Sequence, residues 1–348
     1  MKVNRTVFGC IPSGEKVYKY TLSNDKISID IITYGGIITS LKVPDKNSKL
    51  TDIVLGFDNL DAYLAKHPHF GALTGRHAGR IKNAEFTIEG KTYHLLKNSN
   101  GVDHIHGGAY GIDKALWDSE SFETENSVGV KLNYFSKDMG EGYPGNLNIT
   151  VKYELNKDNE FNIIYSATTD KKTPLVLTNH TYFNLNGEDS NKDILDNKLF
   201  INADNFIELG ENSIRTGEIK SVANTPMDFL SLTAIGDRIN NDYDQLNLCG
   251  GYDHPWLLNS LKTMTAISES TGIKLDVRTD QPAVVCYTGN GLKKEITGKS
   301  GIAYPKNYAF CLETQGVPDA VHHANFPDVI ISPEKPYSQI TTWKFSTI

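Results

Sequence analysis

The segment LNITVKYELNKDNEFNIIYSA (147–167) indicates the fold most directly. Apolar side chains occupy every second position from Leu147 to Leu155, and again from Phe161 to Ala167. Side chains alternate between the two faces of a β-strand, so each half is predicted to be a strand with one buried face and one wet face. The intervening NKDNE (156–160) supplies turn residues, and the whole segment is therefore predicted to form an antiparallel hairpin.

The same period of two recurs elsewhere in the chain. Apolar and polar side chains alternate in three further stretches, at 27–31, 128–134 and 273–277. An apolar face opposite a wet face is what antiparallel sheets packed in layers require. The regular alternation of strands with helices that marks a doubly wound α/β fold does not recur.

Helical periodicity is weak. A short helix is predicted over 58–65, with Asp58 as its N-cap, and a second over 229–239. No Pro/Ser-rich linker and no internal repeat divides the chain. We therefore predict an all-β protein, a large antiparallel β-sandwich with a few short helices, in which residues 1–348 form a single domain.

The composition is that of an ordinary globular protein. Hydrophobic residues make up 39% of the 348 residues and charged residues 22%, which excludes collagen-like and disordered classes. The net charge is −7, so neither a nucleic acid nor an anionic membrane is expected as a partner. No apolar run is long enough to cross a bilayer, and the first residues lack the apolar stretch of a signal peptide.

The four cysteines, Cys10, Cys249, Cys286 and Cys311, are far apart in sequence. Two of them lie inside apolar, strand-like runs. Buried free thiols in a reducing compartment explain this pattern better than disulfides of a secreted protein, although the even number leaves pairing formally open. A cytoplasmic location is predicted.

Motifs for nucleotides, metals and activated serines are missing from the sequence. It has no GxxxxGK[ST], no GxGxxG after a strand, no GxSxG and no HEXXH. His67 and His69 form one H-x-H pair, and His104 and His106 form another. Each pair would share a strand face, but two ligands do not make a metal site and neither pair has an evident third partner. No metal or other cofactor is predicted.

Two polar residues stand at the ends of apolar runs, where a catalytic group would be useful. His180 lies in TPLVLTNHTYFNLNG (173–187), and Glu313 lies in YAFCLETQGVPDA (308–320), with Gln315 on the same strand face. Taken alone, His180 fits a hydrogen-bonded core histidine better than a catalytic one. A carboxylate at 313 would have to be paired or hydrogen-bonded if buried, and both its structural and its functional readings stay open.

Three other polar segments are candidates for binding. HIHGG (104–108) places His106 before two glycines that would let a ligand approach the backbone closely. GYDHPWLL (251–258) sets an acid near Trp256, a combination common in sugar pockets but not specific to them. Arg76 and Arg80 are four residues apart and could clamp hydroxyls or form surface ion pairs.

Taken together, these segments resemble the aldose 1-epimerase (galactose mutarotase) family over nearly the whole chain. No single piece is decisive, and the order of all of them carries the resemblance. The matching segments are YGGIITSLKVPD (34–45), DIVLGFDNLDAYL (52–64), GRHAGRI (75–81), HIHGG and GIDKALW (104–117), GYPGNLNITVKYEL (142–155), LTNHTYFNLNG (177–187), GGYDHPWLL (250–258), YTGN (287–290), and LETQGVPDA with FPD (312–328).

The resemblance implies a galactose mutarotase-like sandwich with a sugar cleft, no cofactor, and a small sugar as substrate. By this resemblance Glu313 is the expected general base and His180 the expected general acid. His106 is expected to hydrogen-bond the sugar around its reacting centre. The positions that hold sugar hydroxyls in the family fall here on Arg80, Tyr182 and Asp253.

The chain also departs from the family pattern. Gly79 stands where asparagine is common before the arginine, and Val285 stands where many members carry glutamine. Asp103 and His322 each replace a usual asparagine. The expected acid and base are intact, so the departures bear on the choice of sugar more than on the type of reaction.

Anomer interconversion needs one base for the proton of the C1 hydroxyl and one acid for the ring oxygen. A carboxylate suits the base if burial raises its pKa, and an imidazole with a pKa near ~6.5 suits the acid.

Two other classes stay open: a non-catalytic sugar-binding or sensor domain, and a glycoside hydrolase with Asp253 and Glu313 as its carboxylate pair. A hexose 6-phosphate substrate is not favoured, because no extra basic cluster is apparent. The preferred aldose and the oligomeric state are not readable from the sequence.

Overall fold

The computed structural model describes residues 1–348 apart from the side chain of Ser300. Two short α-helices occur in the described chain, α1 (Leu60–Leu64) and α2 (Asp244–Cys249). The strands are β1 Lys2–Cys10, β2 Lys16–Ser23, β3 Ser28–Ile32, β4 Ile38–Pro44, β5 Leu50–Asp52, β6 Leu73–Thr74, β7 Arg80–Ile81, β8 Glu85–Ile88, β9 Lys91–His94, β10 His104–Ile105, β11 Asp118–Glu123, β12 Ser127–Ser136, β13 Leu147–Asn156, β14 Glu160–Thr169, β15 Thr173–Pro174, β16 Thr178–Asn179, β17 Lys198–Ile201, β18 Asn205–Leu209, β19 Arg215–Ser221, β20 Thr233–Ala234, β21 Asp253–Leu257, β22 Thr263–Ile267, β23 Ile273–Thr279, β24 Ala283–Tyr287, β25 Cys311–Gln315, β26 Ile330–Ile331 and β27 Tyr337–Thr347.

Three sheets make up most of the molecule. The long sheet has nine strands in the order β11-β12-β13-β14-β27-β23-β22-β17-β20, and the N-terminal sheet has the order β1-β2-β3-β4-β5. The third, here called the cavity sheet, has the order β19-β18-β21-β24-β25. Neighbouring strands in all three are antiparallel, which confirms the predicted class.

The predicted hairpin at 147–167 is confirmed. β13 and β14 pair from Leu147 opposite Thr169 to Leu155 opposite Phe161. The alternate apolar residues of both strands are buried. At the turn, the Asn156 side chain accepts hydrogen bonds from the backbone N–H groups of Asp158 at 2.8 Å and Glu160 at 3.0 Å. The turn residue therefore fixes the register that buries one face of each strand.

The core lies between the layers. One continuous group of buried apolar residues joins Ile29 and Leu41 of the N-terminal sheet, Val151 of the long sheet, and Trp256 and Val284 of the cavity sheet. The predicted sandwich is thus confirmed. The other three strand predictions are confirmed as well, since they coincide with β3, β12 and β23.

The last strand of the chain lies in the middle of the long sheet. β27 pairs with β14 on one side and with β23 on the other. Its Trp343 is 2% exposed and packs edge-on against Phe183, with ring centroids 4.9 Å apart. The C-terminal residues therefore complete the core rather than extend from it.

The helix predictions are only partly correct. Over 58–65 a helix forms, but it begins one residue later than expected, because Asn59 rather than Asp58 caps it by accepting the N–H of Ala62 at 3.0 Å. The helix predicted over 229–239 is wrong: this stretch contains β20 and a 3₁₀ turn at Ile235–Asp237. None of the helices in the described chain is long and apolar enough to cross a membrane.

Candidate active site

A cavity of about 290 Å³ opens above the cavity sheet. Its size suits a small ligand. All six residues expected to act on a sugar line it, and they come from segments that are far apart in the chain. The lining residues are Pro68, His69, Gly79, Arg80, Ile105, His106, His180, Tyr182, Arg215, Asp253, Val285, Tyr287, Gly291, Glu313 and Gln315.

Glu313 is buried on β25, with only 4% of its surface exposed. Its Oε1 lies 3.5 Å from Nε2 of His180. Burial raises the pKa of the Glu313 carboxyl to about 8; the nearby Asp253 raises it further, and Arg215 opposes this. Burial thus moves the pKa of Glu313 up into the neutral range, as expected for a general base.

His180 directly follows β16, which is fixed firmly to the core. Asn179, the residue before it, donates from Nδ2 to the backbone oxygen of Gly71 at 2.9 Å and to the hydroxyl of Tyr153 at 3.2 Å. The His180 ring stacks on Tyr182 with centroids 5.0 Å apart. The imidazole is therefore held in one orientation against the cavity.

The expected titration of His180 near pH 6.5 is wrong. Burial lowers the pKa of His180 to about 3, and the neighbouring His69 lowers it as well. The neutral ring has Cys311 Sγ at 3.5 Å from Nδ1 and the Glu313 carboxyl beside Nε2. At neutral pH the proton of this pair accordingly resides on Glu313.

His106 is oriented by the backbone of Gly79, whose N–H donates to His106 Nδ1 at 3.2 Å. In a neutral imidazole this leaves Nε2 as the donor. Burial lowers the pKa of His106 well below its usual range, so the ring is neutral. The two glycines after it serve packing rather than ligand approach: a Cβ on Gly107 would lie 1.8 Å from the Gly75 oxygen, and one on Gly108 would lie 2.0 Å from a Glu141 oxygen.

Arg80 and Asp253 bring opposite charges to the cavity wall. Arg80 lies at the start of β7 and Asp253 at the start of β21. Burial raises the pKa of Asp253, while Arg80 and Arg215 act in the opposite direction. Trp256, by contrast, is fully buried in the core and donates from Nε1 to the Met227 oxygen at 3.0 Å. The expected acid–aromatic pairing therefore does not form part of the cavity.

Several other candidates turn out to be structural. Arg76 is buried and donates to the backbone oxygens of Ser136 at 2.9 Å and Lys137 at 2.8 Å, so it neither clamps a ligand nor lies on the surface. His104 has both ring nitrogens occupied, by the Leu96 oxygen and the Tyr143 hydroxyl, each at 2.8 Å. It is a hydrogen-bonded core histidine.

The histidine pairs do not converge on a common metal position. Burial lowers the pKa of His67 to about 4, and His69 is bound to Asp113 at 3.0 Å. Among the described residues, the group whose donor atoms could hold an ion is His180, Cys311 and Glu313, within 4.8 Å of one another. The thiol and the carboxyl lie beside opposite nitrogens of the His180 ring, which suits a hydrogen-bonded chain better than a shared ion.

The four departures from the family pattern lie in different local environments. Gly79 has φ +76°, and a Cβ there would lie 2.6 Å from Cβ of Pro318. Val285 lies on β24 directly opposite Glu313. Asp103 accepts the N–H of Asn83 at 2.9 Å, and His322 pairs with buried Asp319 at 2.6 Å, so both have structural partners.

Four polar lining residues were not assigned a role by sequence reasoning: His69, Arg215, Tyr287 and Gln315. Gln315 carried a signal, since it shares a strand face with Glu313, and both of its side-chain amide atoms are buried without a partner in the described chain. Tyr287 stands in the YTGN segment. Arg215 lies in a polar segment with no motif, so only the fold reveals it.

A polar cavity of small-ligand size with a buried carboxyl–imidazole pair provides what an enzyme needs for general acid–base catalysis on a small molecule. Comparison with known proteins agrees. The family model described as aldose 1-epimerase matches residues 18–344. The chain belongs to the aldose 1-epimerase family, and it is an enzyme, an epimerase acting on aldoses.

Relatives match over almost the full length. The galactose mutarotase of Bos taurus is 41% identical over 351 residues, covering 99% of each chain. The aldose 1-epimerase of Escherichia coli K12 is 34% identical over 342 residues, covering 96% of each chain. The crystal structure of galactose 1-epimerase from Lactobacillus acidophilus superposes with a TM-score of 0.88 at 27% identity, covering 99% of each chain.

Proposed function

We propose that this chain is a mutarotase that interconverts the α and β anomers of free aldohexoses such as galactose and glucose by acid–base ring opening and reclosure. The observation that carries the proposal is the buried pair in the cavity, with Glu313 Oε1 at 3.5 Å from His180 Nε2. The names of the relatives, galactose mutarotase and aldose 1-epimerase, support the same reaction.

Glu313 is the proposed base and His180 the proposed acid. Removing the proton from the C1 hydroxyl while protonating the ring oxygen opens the ring to the aldehyde. Rotation about C1–C2 exposes the other face of the carbonyl, and the two proton transfers then run backwards to close the ring. Each positioned acid–base group contributes roughly 10² to 10⁴ in rate.

The proton count of the pair fits this cycle. Because burial places the two pKa values at about 3 and about 8, the pair holds one proton between these limits. One partner can then accept a proton while the other donates one. The proposed roles require that this proton lies on His180 when the sugar is bound, so that Glu313 is the carboxylate that faces the C1 hydroxyl.

The remaining residues are proposed to hold the sugar. His106 presents an Nε2–H donor, since Nδ1 accepts from the Gly79 backbone. Arg80 offers donors, Asp253 offers acceptors, and Tyr182 offers a hydroxyl at the cavity wall. Together these four groups supply both the hydrogen-bond donors and the acceptors that the hydroxyls of a sugar ring need.

We also propose that residues 1–348 act as one domain, because the residues that line the cavity come from segments spread along the chain from Pro68 to Gln315. We further propose a cytoplasmic location and a role in galactose and hexose metabolism, which the proposed reaction and the four free cysteines support. No nucleic acid is needed for such a reaction.

Polarimetry of freshly dissolved α-D-galactose and α-D-glucose tests the proposal. Wild-type protein should speed the approach to anomeric equilibrium, and Glu313→Gln should abolish most of that acceleration. Glu120→Gln is the matched control, because Glu120 is an exposed carboxylate on the edge strand β11. Sugar binding without acceleration would indicate a binding domain, and release of reducing sugar from a disaccharide would indicate a hydrolase.

A further inference from the structure

Arg215 is placed in the cavity by the fold rather than by any motif. It is the first residue of β19, after a 3₁₀ turn at Glu211–Ser213, and only 4% of its surface is exposed. β19 is the edge strand of the cavity sheet, and β18 separates it from β21. Among the described residues, β18 contributes none to the cavity wall. The Arg215 side chain therefore extends past β18 to reach the cavity.

Much of the hydrogen-bonding capacity of Arg215 is unused. Nη1 donates to the Ser213 oxygen at 3.1 Å, but the buried Nε has no partner in the described chain. The buried Nε of Arg80 is in the same state. Within the described residues, the Asp253 carboxyl likewise receives no side-chain hydrogen bond or ion pair. Each of the two buried guanidinium Nε–H groups left in this condition is costly unless a ligand or water satisfies it.

The chemistry of these groups selects a hydroxyl. A guanidinium only donates hydrogen bonds and a carboxylate only accepts them, whereas a hydroxyl does both. A sugar hydroxyl that lies between Arg215 and Asp253, which line the same cavity, can accept from the first and donate to the second. An anionic substituent has no proton to give to Asp253, so a neutral aldose satisfies the set better than an acidic one.

Arg215 also adds hydrogen-bond donors to the cavity wall. Neither Gly79 nor Val285 can hydrogen-bond a sugar through its side chain. Both line the same cavity as Arg215. The guanidinium supplies donors to a cavity in which these two residues offer none from their side chains.

We propose that Arg215 contacts the sugar directly and determines which aldose the cavity accepts, by donating to a hydroxyl that also donates to Asp253. This inference rests on the proposed mutarotase function and names the residue that sets its substrate preference.

The test combines Arg215→Met with a series of sugars that each lack one group. Mutarotation is followed by polarimetry for D-galactose, its 2-, 3-, 4- and 6-deoxy forms, and L-arabinose, which lacks the hydroxymethyl group. For galactose we expect KM to rise about ten- to a hundredfold with kcat nearly unchanged, as when a charge-assisted hydrogen bond common to bound states is removed. With the sugar that lacks the contacted group, wild type and variant should have the same KM.

Arg278→Met is the control, because Arg278 is an exposed arginine on β23 that pairs with Glu160 at 2.9 Å. It should keep the wild-type KM. An unchanged KM in Arg215→Met, or a rise by one common factor for every sugar, would overturn the inference. If Arg215→Met fails to fold, Arg215→Lys is measured across the series and must show a smaller rise confined to the same hydroxyl. Wild-type protein that accelerates none of the sugars would instead refute the proposed function.

Discussion

Replacing Glu313 by glutamine should inactivate the protein and stabilise it at the same time. The amide keeps the shape of the carboxyl but cannot take the proton of the C1 hydroxyl. Loss of one positioned acid–base group predicts a fall in kcat of roughly 10² to 10⁴. KM should change little, because the amide can still contact the sugar.

The stability gain follows from the pKa of the buried carboxyl. Burial raises that pKa from 4.5 to about 8, so the folded state binds the proton more tightly than the unfolded state does. The folded form is penalised once the pH exceeds 4.5, and at pH 7 the penalty is about 3 kcal/mol. Glutamine removes this penalty, and its advantage should shrink as the pH falls toward 4.5.

Polarimetry and thermal unfolding, both run at pH 5 and pH 7, check the two halves of this prediction. The variant should melt several degrees above wild type at pH 7, and the gap should nearly close at pH 5. Glu120→Gln should match wild type in both assays. Wild-type turnover in Glu313→Gln would refute its role as base. A melting temperature at or below that of wild type at pH 7 would refute the burial penalty.

Three further outcomes are expected. Above pH 8, kcat/KM should fall about tenfold per pH unit, because the acid–base pair has lost its shared proton, and from pH 5 to 7 it should stay level. A measured profile that stays level up to pH 9.5, after correction for uncatalysed mutarotation, would contradict this expectation. In Arg80→Met and Asp253→Asn, KM should rise about tenfold or more with a smaller loss of kcat, and polarimetry showing a pure kcat defect would count against substrate binding. Gly79→Asn should lower the free energy of unfolding by about 1–3 kcal/mol, since its Cβ would meet Pro318, and denaturant curves identical to wild type would argue against that contact.

The local sequence was sufficient to predict secondary structure where buried residues recur at every second position. The hairpin at 147–167 was predictable because alternate apolar residues and a turn segment agree on one register. The stretch 229–239 was not, because its structure depends on distant residues. Phe229 packs in the core against Tyr252, and a Cβ on Gly236 would lie 2.9 Å from the Leu195 oxygen. Contacts of this kind override local helical preference.

In the candidate active site, too, some features were predictable from the sequence and others were not. The expected acid, base and binding residues stand in segments with a family resemblance, and the fold brings them to one cavity. The titration of His180 could not be predicted, because its pKa is set by burial and by His69, which is distant in sequence. Arg215 could not be predicted either, because its role depends on which strand lies beside β18.

The central position of β27 has a consequence for biosynthesis. A ribosome adds roughly 5 to 20 residues per second and releases the C-terminal segment last. Until Tyr337–Thr347 has emerged, β14 and β23 have no partner between them, and each exposes an unpaired edge that can recruit another nascent chain. A frameshift or stop codon between Glu313 and this strand would thus yield an aggregating fragment rather than a shortened enzyme, even though every proposed catalytic residue had already been translated.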